Sequence, residues 1–156
     1  MPVTKLIEFL DGHQIKYVTI IHSSAFTAQE VAASAHIPGQ QLAKAVMLKL
    51  DGKMAMAVLP APKLVDFGLL KGTAGVQQAE LANEREFGDM FPECEVGAMP
   101  PFGNFYDMQV YSDQSLTEDD EIAFNAGSHT MLINLPYKDF ERLVSQKIAR
   151  FSSAHA

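Results

Sequence analysis

The sequence predicts an α/β domain built on a mixed, mainly antiparallel sheet of about seven strands with about five helices. Three observations carry that expectation. Of 156 residues 47% are apolar and 20% charged, the balance of a globular domain, and a chain of this size buries roughly 69% of the surface its extended form exposes. Asp51-Gly52 lies between two apolar runs, a two-residue sequence suited to a type I′ turn, so at least one antiparallel hairpin is present. Strand-like and helix-like segments follow one another without regular βαβ alternation, which argues against a doubly wound nucleotide fold.

The elements follow in order. Leu6, Ile7 and Leu10 share one helical face, so residues 4 to 11 read as a short amphipathic helix ending at Asp11-Gly12. Residues 17 to 21 are β-branched and aromatic, hence a strand. Thr27-Ala28-Gln29-Glu30 has the spacing of a capping box and opens a helix to about residue 35, which Ile37-Pro38-Gly39 stops. Residues 43 to 50 and 53 to 59 form the hairpin, 65 to 71 a helix, and 76 to 81 a short strand. Asn83 with Glu86 caps a helix to about residue 90. Residues 91 to 104 hold three prolines and two glycines and form a loop. Strands resume at 107 to 112, 121 to 125 and 131 to 135, and a helix over 137 to 146 turns Phe140, Leu143 and Val144 inward. Residues 151 to 156 are expected to fray, and the whole chain to form a single domain.

Composition excludes several classes. The lone Cys94 rules out a disulfide framework and any multi-cysteine zinc site, and points to a reducing compartment such as the cytoplasm. The longest apolar run, residues 54 to 59, is far short of the ~20 residues of a membrane span, and no secretory signal is expected. A net charge of −7 argues against a free-standing binder of nucleic-acid backbone, DNA included. The charge is uneven, however: residues 1 to 75 carry seven Lys/Arg against five Asp/Glu, and residues 76 to 156 carry five against fourteen. An anionic partner would therefore meet the first half, around Lys44, Lys49, Lys53, Lys63 and Lys71.

Lys44 is the most informative position. Alternation puts it with Leu42, Val46, Leu48 and Leu50 on one face of its strand, at the end of an apolar row. Either its stem packs on the core edge while the ammonium reaches water, or it lines a pocket in which an anion or developing oxyanion is held. The loop Gly97-Ala98-Met99-Pro100-Pro101-Phe102-Gly103 is stiffened by its prolines, and its amides at Ala98 and Met99 are free to face a ligand. A plain connecting loop is the alternative. In Asn125-Ala126-Gly127-Ser128-His129-Thr130, Ser128 and His129 could orient a water or a substrate hydroxyl, or belong to an ordinary hairpin turn. His22, at the end of the first strand, reads the same way.

Other signals are negative. Glu93 and Glu95 flank Cys94 and would suppress its thiolate. The five histidines show no metal spacing, no Gly-x-x-x-x-Gly-Lys phosphate loop is present, and no Gly-x-Ser-x-Gly elbow surrounds a serine. Neither a metal nor another cofactor is expected.

Taken together, His22, Thr27-Ala28-Gln29-Glu30-Val31-Ala32, Ile37-Pro38-Gly39, Leu42-Ala43-Lys44, the 97 to 103 loop and Gly127-Ser128-His129 resemble the YbaK/ProX family over about residues 3 to 150. These are free-standing relatives of the editing domain inserted in bacterial prolyl-tRNA synthetases. The resemblance implies a twisted, barrel-like sheet wrapped by helices. It also implies a deacylase that hydrolyses the ester of a wrongly attached small amino acid, such as alanine, cysteine or serine, on tRNA(Pro). It maps the signature lysine to Lys44 and the Gly-x-x-x-Pro loop to Gly97 through Pro101. Lys44, Gly97, Ser128 and His129 are then expected to be catalytic. His22, Thr27, Ala98, Met99, Pro100, Pro101, Phe102 and Gly103 are expected to line the substrate site. The expected partners are the acceptor end of mischarged tRNA, bound weakly, and a synthetase or elongation factor that delivers it. Two alternatives stay open: a non-catalytic aminoacyl, tRNA or synthetase-binding module, and a hydrolase of some other small acyl ester or thioester.

Overall fold

The computed structural model of the chain describes residues 4–21, 41–87, 99–103, 108–127, 130–144 and 146–153. Helix α1 (Thr4–Gly12) buries Leu6 and Leu10, four residues apart on one face, and strand β1 (Val18–Ile21) follows it. Strands β2 (Ala43–Leu50) and β3 (Lys53–Pro60) form the expected hairpin. Its turn residues Asp51 and Gly52 have φ of +50° and +82°, the left-handed pair that a type I′ turn requires. The Asp51 carboxylate also accepts the amides of Gln77 and Gln78, tying the turn to the next connection.

Strand β4 (Leu64–Val65) leads into α2 (Phe67–Ala74). Asp66 caps that helix by accepting the Leu69 amide at 3.0 Å, and Gly75 ends it at φ +69°. After β5 (Ala79–Leu81) comes the single-turn α3 (Glu84–Phe87), where Asn83 and Glu86 cap each other reciprocally at 2.9 and 3.0 Å. The remaining elements are β6 (Gln109–Asp113), a 3-10 turn (Gln114–Glu118), β7 (Glu121–Asn125), β8 (Met131–Pro136), α4 (Tyr137–Val144), β9 (Lys147–Ala149) and β10 (Ser152–Ser153).

The strands form three open sheets in the orders β1-β8-β7, β5-β2-β3-β6-β9 and β10-β4. Pairings β3–β6 and β6–β9 are parallel and the other strand pairs antiparallel. The central strand β3 of the five-stranded sheet is buried on both faces, which is why it reads as a nearly unbroken apolar run. Met47, Met56, Val58 and Val110 face a first core shared with Phe124, Ile133, Phe140 and α1. Leu48, Leu50, Ala57 and Leu59 face a second, smaller core with Leu70, Tyr111 and Phe151.

The sheets do not close into the barrel that was expected, and ten strands replace seven among the described residues. The additional strands, β4, β9 and β10, span only two or three residues each, too few for alternation to register in sequence. Four α-helical segments occur among the described residues, one of them a single turn; the helix expected over 27 to 35 lies outside those residues. Residues 65 to 71 start as strand and become helix only after the Asp66 cap. Nor does the chain fray at residue 151: Phe151 is fully buried and Ser152–Ser153 pair with β4. The anchor is Asp113, buried at the end of β6, whose Oδ1 accepts the amides of Phe151 and Ser152 at 3.1 Å each. No described helix is long and apolar enough to cross a membrane.

Candidate active site

Two strands from different sheets meet at one point. Leu42, just before β2, bridges Ala123 of β7 in parallel, and the Ala123 amide donates to the Gln41 carbonyl at 3.1 Å. The outer edge of β2 is next paired by β5, at Leu48 to Leu50. Between these contacts, residues 44 to 46 pair with no strand on that edge among the described residues, a notch in the strand pairing.

Lys44 stands in that notch. It is half-buried, lies opposite the fully buried Leu59, and shares its face with Val46, Leu48 and Leu50, as alternation predicts. Burial holds its ammonium pKa below the usual 10.5. No carboxylate pairs with it among the described residues, whereas Lys49, on the opposite face, is paired with both Glu80 and Glu86. A desolvated cation without a counter-ion is a receptor for an external anion or for oxygen charge developing during a reaction.

The same bridge relates Asn125 to Lys44. Ala123 and Asn125 alternate with Phe124, which faces the first core, so both project to the side shared by Leu42 and Lys44. Lys44 and Asn125 each lie two residues beyond the bridge, on strands that run in the same direction. Asn125 is 9% exposed and its side-chain oxygen is buried without a hydrogen-bond partner among the described residues. Sequence reasoning placed Asn125 in the polar turn without a role; the available signal was a polar residue ending the apolar run of β7.

The proline loop is anchored from within. Met99 and Phe102 enter the first core, Pro100 and Pro101 are buried, and the Phe102 ring meets those of Phe124 and Phe140 edge-on at 5.5 and 5.8 Å. The Phe102 amide donates to the Pro100 carbonyl at 2.8 Å, closing a tight turn. Gly103 is buried as well, and a Cβ there would lie 2.8 Å from both Met108 Cγ and Val110 Cγ2. The loop's buried side chains thus enter the first core, while Lys44 belongs to the opposite row of β2.

Gly97, Ala98, Ser128, His129, His22 and Thr27 lie outside the described residues. Gly127, which precedes Ser128, has φ +95°, a turn conformation that a side chain would strain. Among the described residues no three His, Cys, Asp or Glu side chains are placed to hold a metal. A separate cleft of about 640 Å³, lined by residues including Lys63, Asp66, Asp113 and Arg150, contains none of the expected site residues.

Comparison with known proteins bears on this site. The model of the aminoacyl-tRNA editing domain family matches residues 22–143. The chain is 28% identical over 152 residues to the multifunctional Ser/Thr-tRNA deacylase ProXp-y of Escherichia coli, covering 94% of this chain and 90% of that protein. It is 27% identical over 116 residues to the proline–tRNA ligase of Bacillus mycoides, covering 72% of this chain but 20% of the ligase. Among solved structures, a hypothetical protein aligns with TM-score 0.85 at 18% identity, covering 96% of this chain and 99% of the other. A protein described as a candidate trans-editing enzyme for prolyl-tRNA synthetase aligns with TM-score 0.81 at 18% identity, covering 96% of each chain.

Proposed function

The chain belongs to the aminoacyl-tRNA editing domain family, and from that premise we propose that it deacylates mischarged tRNA at the notch that holds Lys44. Water adds to the carbonyl carbon of the aminoacyl ester, the bond to the ribose oxygen breaks, and that oxygen leaves with a proton as the terminal hydroxyl. The ester is already activated, so the protein need only place water and stabilise oxygen charge; a covalent nucleophile is unnecessary. The observation that carries the reading is Lys44 itself, a half-buried ammonium with no carboxylate beside it among the described residues. It serves the developing oxyanion or the terminal phosphate.

Gly97 and the amides of Ala98 and Met99 complete the reading as a rim around the aminoacyl group, with Pro100, Pro101, Phe102 and Gly103 as its buried foundation. Ser128 and His129 align water or the terminal adenosine, and His22 and Thr27 bind the substrate. A rigid pocket excludes large side chains better than it separates small ones, so alanine, cysteine, serine and threonine are the substrate class, with tRNA(Pro) the first tRNA to try. Weak, salt-sensitive binding of the acceptor end, with delivery by a synthetase or elongation factor in the cytoplasm, fits the net charge of −7.

The test is a panel of mischarged tRNAs beside free aminoacyl esters. Release from tRNA alone, reduced by about 10²- to 10³-fold in Lys44→Ala, is the expected result. Release from neither substrate overturns catalysis in favour of a binding module. Equal release from both removes the tRNA from the reading, and undiminished turnover by Lys44→Ala removes the lysine.

A further inference from the structure

We propose that Asn125 is a substrate-binding residue whose side-chain oxygen accepts a hydrogen bond from the α-ammonium of the aminoacyl group, across the notch from Lys44. The inference rests on the deacylase reading and adds to it the group that recognises the amino end of the substrate.

Two independent observations lead there. From the parallel bridge Leu42–Ala123, Lys44 and Asn125 each lie two residues further on along strands that run the same way, on the side away from the first core. The Asn125 oxygen is buried without a partner among the described residues, in a residue that is 9% exposed. A buried orphan acceptor destabilises a fold, and a fold that keeps one at the mouth of a notch has a use for it when a donor arrives.

The chemistry of the substrate names that donor. A carboxamide oxygen only accepts, so neither a phosphate nor the ester carbonyl can satisfy it. The α-ammonium is the donor common to every aminoacyl ester, and it sits one carbon from the reacting carbonyl. Lys44 cannot approach that group without repulsion, so the two cations divide the substrate: lysine at the ester and phosphate, asparagine at the amine. A neutral acceptor suits this division, because a carboxylate at 125 would pair with Lys44 and neutralise it.

The experiment compares one tRNA carrying alanine with the same tRNA carrying propionate, which lacks only the ammonium. Wild-type protein, Asn125→Ala and Asn125→Leu are assayed for release of each, and their melting temperatures are recorded. With each rate divided by that ester's spontaneous hydrolysis, the wild type is expected to prefer the alanyl ester by about 10- to 100-fold, the range of a hydrogen bond to a charged group. Both variants lose that factor on the alanyl ester and keep the propionyl rate. Asn125→Leu, which replaces the orphan oxygen by an apolar group of similar shape, melts at or above the wild-type temperature. A structural role alone would lower melting and leave the preference intact, which overturns the proposal. So does an equal loss on both esters. If the wild type releases neither ester while Lys44→Ala behaves identically, the deacylase reading falls and this inference with it; if it releases alanine and the variants keep its preference, only Asn125 falls.

Discussion

Replacing Gly103 by alanine tests whether the proline loop is held by close packing from below. The added Cβ would lie 2.8 Å from Met108 Cγ and 2.8 Å from Val110 Cγ2. Ordinary carbon contacts are about 3.5–4.0 Å, so each neighbour must retreat by roughly 0.7–1.2 Å. Met108 can turn about its flexible stem. Val110 cannot: it is β-branched, and its strand is held by β3 on one side and β9 on the other. Overpacking of this kind costs about 1–3 kcal/mol, and for a domain of this size that lowers the melting temperature by about 2–12 °C. Urea unfolding of Gly103→Ala, Val110→Ala and the double variant isolates the cause. The shortened side chain at 110 makes room for the new methyl, so the double variant should be more stable than the sum of the single effects predicts, by at least about 0.5 kcal/mol. A single variant as stable as wild type, or effects that add within about 0.3 kcal/mol, would refute the argument.

Lys44 gives a pH signature. Its folded pKa is lowered by burial, so between that value and 10.5 the unfolded chain binds a proton the folded chain does not, and stability rises with pH across the window. Lys44→Met should flatten that rise in urea midpoints measured from pH 7 to 10. If the lysine acts as a cation, kcat/KM corrected for spontaneous hydrolysis falls as pH rises through the lowered pKa, and Lys44→Arg removes the fall; a rate that climbs instead makes the lysine a base. Asp113 acts with the same sign in an acid window: burial pushes its carboxyl up, but hydrogen bonds from Ser115, Phe151 and Ser152 outweigh burial and leave it below the usual 3.8. Its stability contribution is thus present above pH 3.8 and lost as pH falls through the lowered value. Asp113→Ala should cost about 2–4 kcal/mol at pH 7 and expose Phe151 to limited proteolysis; an unchanged cleavage pattern near residue 151 would count against the clamp.

What could be read from sequence was local. The Asp51-Gly52 turn and the Asn83/Glu86 cap each depend on a few consecutive residues, and both stand where expected. Lys44 was visible because a charge in an apolar row violates a two-residue period. Asn125 was not, because its significance comes from the bridge between β2 and β7, whose residues are 81 apart in sequence. Gly103 read only as part of a stiff loop around the substrate; its close approach to β6 depends on side chains that sequence spacing does not reveal. Strand β9 escaped because a three-residue strand in a parallel pair takes its identity from its neighbours, and the two-residue β10 is shorter still.

That parallel pairing also sets a timetable for synthesis. The second core needs Phe151 against Leu59 and Leu70, and β6 needs β9 beside it. A chain emerging from the ribosome only as far as residue 146 lacks Phe151 from its second core and β9 from the edge of β6, with Leu70 and its neighbours already in place. Until that late stretch clears the exit tunnel, the nascent protein is exposed to chaperones and to its neighbours on the same messenger.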